Sequence, residues 1–388
     1  MDGGRMRIGI IGGGQLAAML VQACTRSNEI EGSDHQILTL DKSPSCPAAQ
    51  VGGIHVQGVP ATGEGYNRLS DASDIITIDL ENVSVKVLAE LESRGQKIIP
   101  APSVLAQLTN KLKQKQWLTE MGIPTAAFMP YDGSMEIDSE PYGFPVVQKV
   151  ATGGYDGRGV AVLHSRADNE TRLRTSGYIE QYINRKMEVS VMVAASEQGE
   201  VVAYQPVEMV FREDGNVLDY LVAPARLPAE LLVQARELAV STIRALQASG
   251  IFGIEMFLTE SNELLVNEIS PRTHNSGHFT TEACLTSQFS QQLRILTGMS
   301  LGDVFQFTPA AMFNLLGARD YQGEAIVEQD QSLDDDERVA IHLYGKRQCF
   351  AGRKMGHVTV TGDSVETALQ KMKLIRRKIL VRGAEKSV

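Results

Sequence analysis

A chain of 388 residues, 43% of them hydrophobic, has material for two or three domains with substantial cores. Its formal charge of −10 argues against a nucleic-acid partner, and no apolar run reaches the ~18 residues expected of a membrane helix. No secretory signal opens the sequence, and Cys24, Cys46, Cys284 and Cys349 lack C-x-x-C spacing, so reduced thiols and a cytoplasmic location are expected.

Residues 6–11 read as an apolar strand. Gly12-Gly13-Gly14-Gln15-Leu16 then turns into a helix running to about Cys24, and Ile37–Asp41 is a second strand. The Gly12-x-Gly14-x-x-Ala17 turn, with an acid about 20 residues on, is a dinucleotide-fold fingerprint. Alone it supports a nicotinamide oxidoreductase, but fold does not decide function, so that reading stays open here. Lys111–Met121 is a helix stopped by Gly122 and Pro124. Val146–Lys149 is an apolar strand leading into Gly153-Gly154-Tyr155-Asp156-Gly157-Arg158-Gly159. Such glycines let backbone approach a phosphate, and backbone donors with Lys149 would neutralise its charge. No Lys-Ser/Thr follows them, so this is not a Walker loop. Gly177–Ile183 is a short strand, and Glu188 lies on the next.

Leu231, Leu232, Ala235, Leu238, Ala239, Ile243 and Leu246 recur at helical spacing and predict an amphipathic core helix. Gly253–Leu258 and Leu264–Ile269 then read as a hairpin around Thr259-Glu260-Ser261-Asn262-Glu263. If the turn centres between Ser261 and Asn262, Glu255 and Glu268 fall opposite each other. Like charges facing across a strand pair are destabilising, so a cation between them is expected. A solvated hairpin with two exposed glutamates is the plainer alternative. The run Ser270–His278 packs an arginine, two histidines and an asparagine with no apolar period, and predicts a binding loop. Arg272 can grip an oxyanion bidentately, and His274 and Asn275 can donate to further oxygens. Asp334–Glu337 reads as a solvated turn. Strands near 339–344 and 357–361 and a helix from about Ser364 follow, its basic end (Lys371, Lys373, Arg376, Arg377, Lys378) forming an exposed face.

Taken together, these motifs resemble the ATP-grasp superfamily, and within it the 5-(carboxyamino)imidazole ribonucleotide synthase family. The resemblance spans nearly the whole chain. It includes the GGGQL turn, Glu81-Asn82-Val83, Glu180-Gln181-Tyr182-Ile183, the Glu255/Glu268 pair, and Tyr344-Gly345-Lys346 with Gly352–His357. It implies an α/β ATP-grasp fold with a Rossmann-like domain at 1–108. The ATP-grasp domain would occupy 109–300, with a lid at about 125–185, and a small α+β domain 301–388. It further implies ATP, magnesium and bicarbonate, a small-molecule acceptor and a homodimer. By this analogy Glu255 and Glu268 hold magnesium, Lys111, Lys149 and the Gly154–Gly157 loop meet the ATP phosphates, and Asn267 and Glu268 also belong to the ATP site. Glu180, Gln181, Tyr182 and Ile183 would meet adenine, and Glu188 the ribose. Arg272, His274 and Asn275 would surround bicarbonate or carboxyphosphate. Gly14, Gln15, Leu16, Glu81, Tyr155, Asp156, Lys346 and Arg353 would bind the aminoimidazole ribonucleotide, the last two at its phosphate.

The chain departs from the family pattern in places. Ala17 and Ala18 stand where a Gly-Arg is usual, and Lys111 replaces an arginine, turning a bidentate grip into a point charge. Met209 and Phe211 stand where an asparagine and a histidine are common. Two alternatives follow: a relative acting on a different small amine, and a nucleotide-binding protein without catalysis.

Overall fold

The computed structural model describes residues 5–134, 136–137, 140–154, 159–212, 217–333 and 336–386. Tyr155, Asp156 and Gly157 of the glycine loop, and Asp334 and Asp335 of the acidic run, lie outside these.

The N-terminal part is a five-stranded sheet ordered Ile54–Gln57, Gln36–Asp41, Arg7–Ile11, Ile75–Ile78, Lys97–Ile98, with every pair parallel. Ile8, Ile10, Ile11, Leu40 and Ile76 are fully buried, as expected of strands covered on both faces. Strand order reverses between Arg7–Ile11 and Ile75–Ile78, which opens a crevice at their carboxyl ends. Into it project the Gly12–Gly14 turn and the Asp79–Glu81 segment. Gly12 has φ +110, and a Cβ there would lie 1.6 Å from Asp79 Oδ1, so this approach requires glycine. The helix after the turn runs Gln15–Glu31, beyond the expected end at Cys24. Its last turns carry no buried apolar residue and so left no periodic signal. Asn28 holds them instead, donating to His35 O and accepting from His35 N, before Gly32 stops the helix at φ 68.

The second body is an antiparallel nine-stranded sheet. Its path runs Leu264–Ser270, Gly250–Thr259, Arg185–Ala195, Val207–Phe211, Leu218–Ala223, Ala310–Leu316, Lys354–Thr361, Val339–Leu343, with Val201–Ala203 beside Arg185–Ala195. Helix Ala229–Leu246 covers the hairpin end, packing Ala235, Ala239 and Ile243 against Ile254, Met256, Val266 and Ile269. Ala310–Leu316, Lys354–Thr361 and Val339–Leu343 continue this sheet through the Ala223↔Ala310 pairing, while Tyr321–Gln329, Gln348–Cys349 and Ile379–Lys386 form a three-stranded sheet of their own. The first three are thereby placed in the same framework as the hairpin. Helix Val365–Ile375 starts at a Ser364 cap, as expected. Its basic end is not wholly a solvated face, because the Arg376 guanidinium forks onto Asp219 of Leu218–Ala223 and Lys371 meets Asp336. The helix lies across the sheet, which brings its last turn to that strand.

A separate four-stranded sheet, ordered Phe128–Tyr131, Gly177–Gln181, Val146–Val150, Val160–Leu163, has its own small core of Ile137, Val146, Leu163 and Ile179. Helix Lys111–Glu120 lies between this sheet and the hairpin, opened by the Asn110 side chain accepting from Lys113 N at 3.0 Å. No helix among the described residues is long and apolar enough to cross a membrane.

Asp79 links the two loops of the N-terminal crevice. Its Oδ2 accepts from Gly14 N at 2.9 Å and Ala17 N at 3.4 Å, while Oδ1 is buried without a partner. Burial raises the carboxyl from 3.8 to about 6, against the pull of those two bonds. The ionised form is therefore disfavoured in the fold, so this group's contribution worsens as pH climbs from the unfolded value to the folded one. Asp79→Asn keeps an oxygen for Gly14 and removes the charge. In urea unfolding it should gain on the order of 3 kcal/mol at pH 7.5 and nothing near pH 4. Equal destabilisation at both pH values would contradict this.

Candidate active site

The hairpin pairs Leu258↔Leu264, Phe257↔Leu265 and Met256↔Val266. Continued without a break, that register would set Glu255 against Asn267. A β-bulge at this step inserts Asn267 and sets Glu255 against Glu268 instead. The expected facing of the two carboxylates is thus reached by a different route. The turn is one residue tighter than its symmetric centre implied, with Asn262 left-handed at φ 63, and the bulge restores the register. Glu255 and Glu268 keep 22% and 28% of their side-chain surface, so a ligand entering the cleft can reach both.

Electrostatics separate the pair. Burial, then Glu268 and Glu188, push the Glu255 carboxyl up. Burial acts likewise on Glu268, but Lys111, whose Nζ lies 2.7 Å from Glu268 Oε2, together with Lys149 and Arg272 outweighs it and holds that carboxyl down. Among the described residues no three His, Cys, Asp or Glu side chains form a metal cage. Two hard carboxylates whose remaining partners must come from substrate oxygens fit magnesium, which is commonly held in that way.

Lys149 Nζ lies 2.8 Å from Asn267 Oδ1 and 2.6 Å from Glu180 Oε2. The bulged residue therefore faces the lysine expected at a phosphate. Glu180, expected at adenine, is only 1% exposed, and its carboxylate sits between Lys149 and Lys115. Its side chain is thus engaged by the two lysines, and the neighbouring Gln181, Tyr182 and Ile183 remain accessible. Glu188 is bound by Arg185, whose guanidinium stands 5.5 Å from the Phe257 ring centre; Lys149 Nζ stands 5.8 Å from the same centre. Met209 pairs with Glu188 across the sheet and is buried, and Phe211 is half-buried, so this strand offers no polar side chain at those positions. Gly154 is half-buried at the edge of the described loop.

The loop after the hairpin is fixed from several sides. His274 N donates to Gln288 Oε1, and Gln288 Nε2 returns a bond to His274 O, both at 2.9 Å. Gly253 makes room for it, since a Cβ there would lie 2.8 Å from His274 Cβ. Ser276 N donates to His274 Nδ1 at 3.3 Å, which makes Nδ1 an acceptor and leaves the proton on Nε2, 3.5 Å from Glu255 Oε1. Burial, with Arg272 and Lys354, holds His274 well below its ordinary pKa, so the ring is neutral. Arg272 Nη2 meets Glu81 Oε1 at 2.8 Å and so ties the loop to the N-terminal crevice. Asn275 does not present a free amide, because it exchanges two bonds with Asn314 at 2.9 and 3.1 Å. His278 is fully buried and stacked on His357, which stacks on His342, each at 4.5 Å, tying the loop to the C-terminal strands.

At the acceptor end, Gly14 N is committed to Asp79, Gln15 is half-buried, and the Leu16 side chain packs in the core. Gln50 Nε2 donates to Gly345 O at 2.9 Å, setting the turn before Lys346 against the N-terminal unit. Lys346 Nζ donates to Lys354 O at 2.7 Å. Arg353 Nη1 donates to Gln348 O at 2.6 Å and its guanidinium lies over Phe350, so that side chain is engaged within its own hairpin. Lys354, which lies in the Gly352–His357 motif but was not among the expected site residues, acts on both Glu255 and His274. Asp79 also occupies the helix N-terminus where a dinucleotide pyrophosphate would sit, which removes the basis for the oxidoreductase reading.

Comparison with known proteins agrees with this geometry. Residues 5–108 match the ribonucleotide synthetase preATP-grasp domain, 116–289 the ATP-grasp domain, and 310–371 the phosphoribosylaminoimidazole carboxylase C-terminal domain. The chain is 36% identical to the N5-carboxyaminoimidazole ribonucleotide synthase of Synechococcus elongatus, over 94% of this chain and 92% of that one. It superposes on the N5-carboxyaminoimidazole ribonucleotide synthetase of Thermotoga maritima with a TM-score of 0.87 and 38% identity, covering 97% and 99% of the two chains. The Aspergillus clavatus enzyme, solved with ADP and 5-aminoimidazole ribonucleotide, gives a TM-score of 0.83 at 30% identity, covering 97% of this chain and all of that one. With a bulged carboxylate hairpin, flanking lysines and an arginine–histidine loop in that setting, the chain belongs to the N5-carboxyaminoimidazole ribonucleotide synthase family of ATP-grasp enzymes.

Proposed function

We propose that this protein carboxylates the amine of 5-aminoimidazole ribonucleotide at the expense of ATP and bicarbonate. The products are 5-(carboxyamino)imidazole ribonucleotide, ADP and phosphate, in de novo purine synthesis. The observation that supports it best is the facing Glu255/Glu268 pair, with Lys111 and Lys149 near one side and the Arg272–His274 loop near the other. In the reaction a bicarbonate oxygen attacks the γ-phosphorus, the bond to ADP breaks and carboxyphosphate forms. The acceptor amine then attacks the carboxyl carbon, directly or as released carbon dioxide, with loss of phosphate and one amine proton. Lys111 and Lys149 would hold the ATP phosphates, and Arg272 with the Nε2 proton of His274 would hold the bicarbonate oxygens. Magnesium bound at Glu255 and Glu268 would offset the charge of the transferring group. Such transfer is chiefly positioning and charge stabilisation, which suits a site built of loops and cations.

Lys346 and Lys354 would meet the acceptor from the C-terminal strands, and Arg353 would join them by leaving its contact with Gln348. The unit bounds 1–108, 109–300 with a lid at about 125–185, and 301–388, together with a homodimer and a cytoplasmic location, belong to the same reading. The apolar Met209 and Phe211 support a second one, a related ligase for a different small amine.

ADP release with magnesium and bicarbonate should rise strongly on adding 5-aminoimidazole ribonucleotide; no response would favour the different amine. Glu255→Gln or Glu268→Gln should abolish magnesium-dependent turnover while circular dichroism shows an intact fold. Activity near wild type in either would defeat the cation assignment. Arg353→Ala should raise the acceptor KM about ten- to hundred-fold, the equivalent of one lost charged contact, with the KM for ATP little changed. Unaltered acceptor saturation would leave Arg353 as a surface cation.

A further inference from the structure

Helix Lys111–Glu120 presents two lysines, one turn apart, to carboxylates on two different sheets. Lys111 meets Glu268 of the hairpin, and Lys115 meets Glu180 of the four-stranded sheet. Lys115 Nζ also donates to Thr125 Oγ1 at 2.5 Å, and Thr125 passes a bond to Val266 O at 2.7 Å. Between the two lysines, Gln114 accepts from Ile269 N at 2.8 Å and donates to Ile269 O at 2.9 Å. The helix is thereby locked to the strand that carries Asn267 and Glu268. Lys115 keeps 1% of its side-chain surface and cannot touch a nucleotide, whereas Lys149 keeps 11% and borders the cleft.

The charges in this cluster do not cancel. Glu180 supplies one negative charge to two ammonium groups, leaving one positive charge over. Burial pushes the Glu180 carboxyl up, but Lys149 and Lys115 outweigh it and hold it ionised. Burial, and the Lys149 charge beside it, bring the Lys115 ammonium down on balance, while Glu180 opposes this. A charge this deep persists when its partners satisfy it, and losing one partner leaves the other exposed to the full desolvation cost.

We propose that Lys115 is a positioning residue for phosphate binding: by sharing Glu180 with Lys149, it leaves the positive charge of Lys149 uncancelled toward the ATP phosphates. Without Lys115, Glu180 would pair with Lys149 alone and the cluster would be neutral. On this view the Glu180 carboxylate is a charge divider, and the nucleobase is read by the segment after it. The inference rests on the ATP-binding reading of the cleft.

The test is a charge-restoring pair of variants, read by calorimetric titration with ATP and by steady-state kinetics. Lys115→Met, close to isosteric, should weaken ATP binding about ten- to hundred-fold and raise its KM alike, with kcat changed much less. The double variant Lys115→Met/Glu180→Gln regains one uncancelled ammonium. It should recover most of the lost affinity and keep the wild-type preference for ATP over GTP. Lys115→Met binding ATP as wild type does, or a double variant no better than the single, would overturn the proposal. So would a double variant that loses base preference, because Glu180 would then be reading adenine. If Lys115→Met fails to fold, the affinity and base preference of the double variant decide alone. A wild-type protein that binds no ATP would instead defeat the reading of the cleft itself.

Discussion

Two carboxylates, Glu255 and Glu268, are held opposite each other by the hydrogen bonds of their own strands, and much of the neighbouring structure answers that repulsion. Lys111 neutralises one of them, while Lys354 and His274 stand beside the other. The bulge that creates the facing pair also turns Asn267 to Lys149, so one inserted residue sets both the cation seat and its neighbouring phosphate lysine. A regular hairpin would place an amide opposite a carboxylate there and offer a cation only half the charge.

The site is assembled where three parts of the chain meet, and each seam is made by polar contacts. Glu81 reaches Arg272 from the N-terminal crevice, Gln50 reaches Gly345, and Asn275 exchanges bonds with Asn314. The Gln50 bond is exposed, but the Glu81–Arg272 and Asn275–Asn314 pairs are partly buried, where polar contacts are costly to break and directional, so they fix the orientation of the loop that apolar packing alone would leave free. The stack of His278, His357 and His342 adds a further brace with rings that burial keeps neutral at its centre. The price of this arrangement is visible in orphaned buried atoms such as Asp79 Oδ1 and His357 Nε2.

The fold was legible where the pattern repeated. The parallel N-terminal unit, the helix behind the hairpin and the Ser364 cap follow from apolar period and capping residues. The facing glutamates were expected from a turn symmetry the hairpin does not have; a tighter turn and a bulge offset each other, and the bulge was not legible because a one-residue insertion changes no local composition. Lys115 and Arg185 were missed for a related reason: in KLKQKQW and NRKME they look like ordinary surface cations. Only the three-dimensional approach of Glu180 and Glu188 makes them partners. For Leu16 and Asn275, membership of a motif did not reveal which way the side chain turns: the side chains meet the apolar core and Asn314, which are remote in sequence.

Phosphoryl transfer to bicarbonate is tested most directly by bicarbonate labelled with heavy oxygen. With ATP, magnesium and 5-aminoimidazole ribonucleotide present, one labelled oxygen should appear in each phosphate released, because the attacking bicarbonate oxygen stays on phosphorus when carboxyphosphate breaks down. Phosphate carrying oxygen from water alone would mean that ATP is simply hydrolysed, and a carboxyphosphate route through this site would be contradicted.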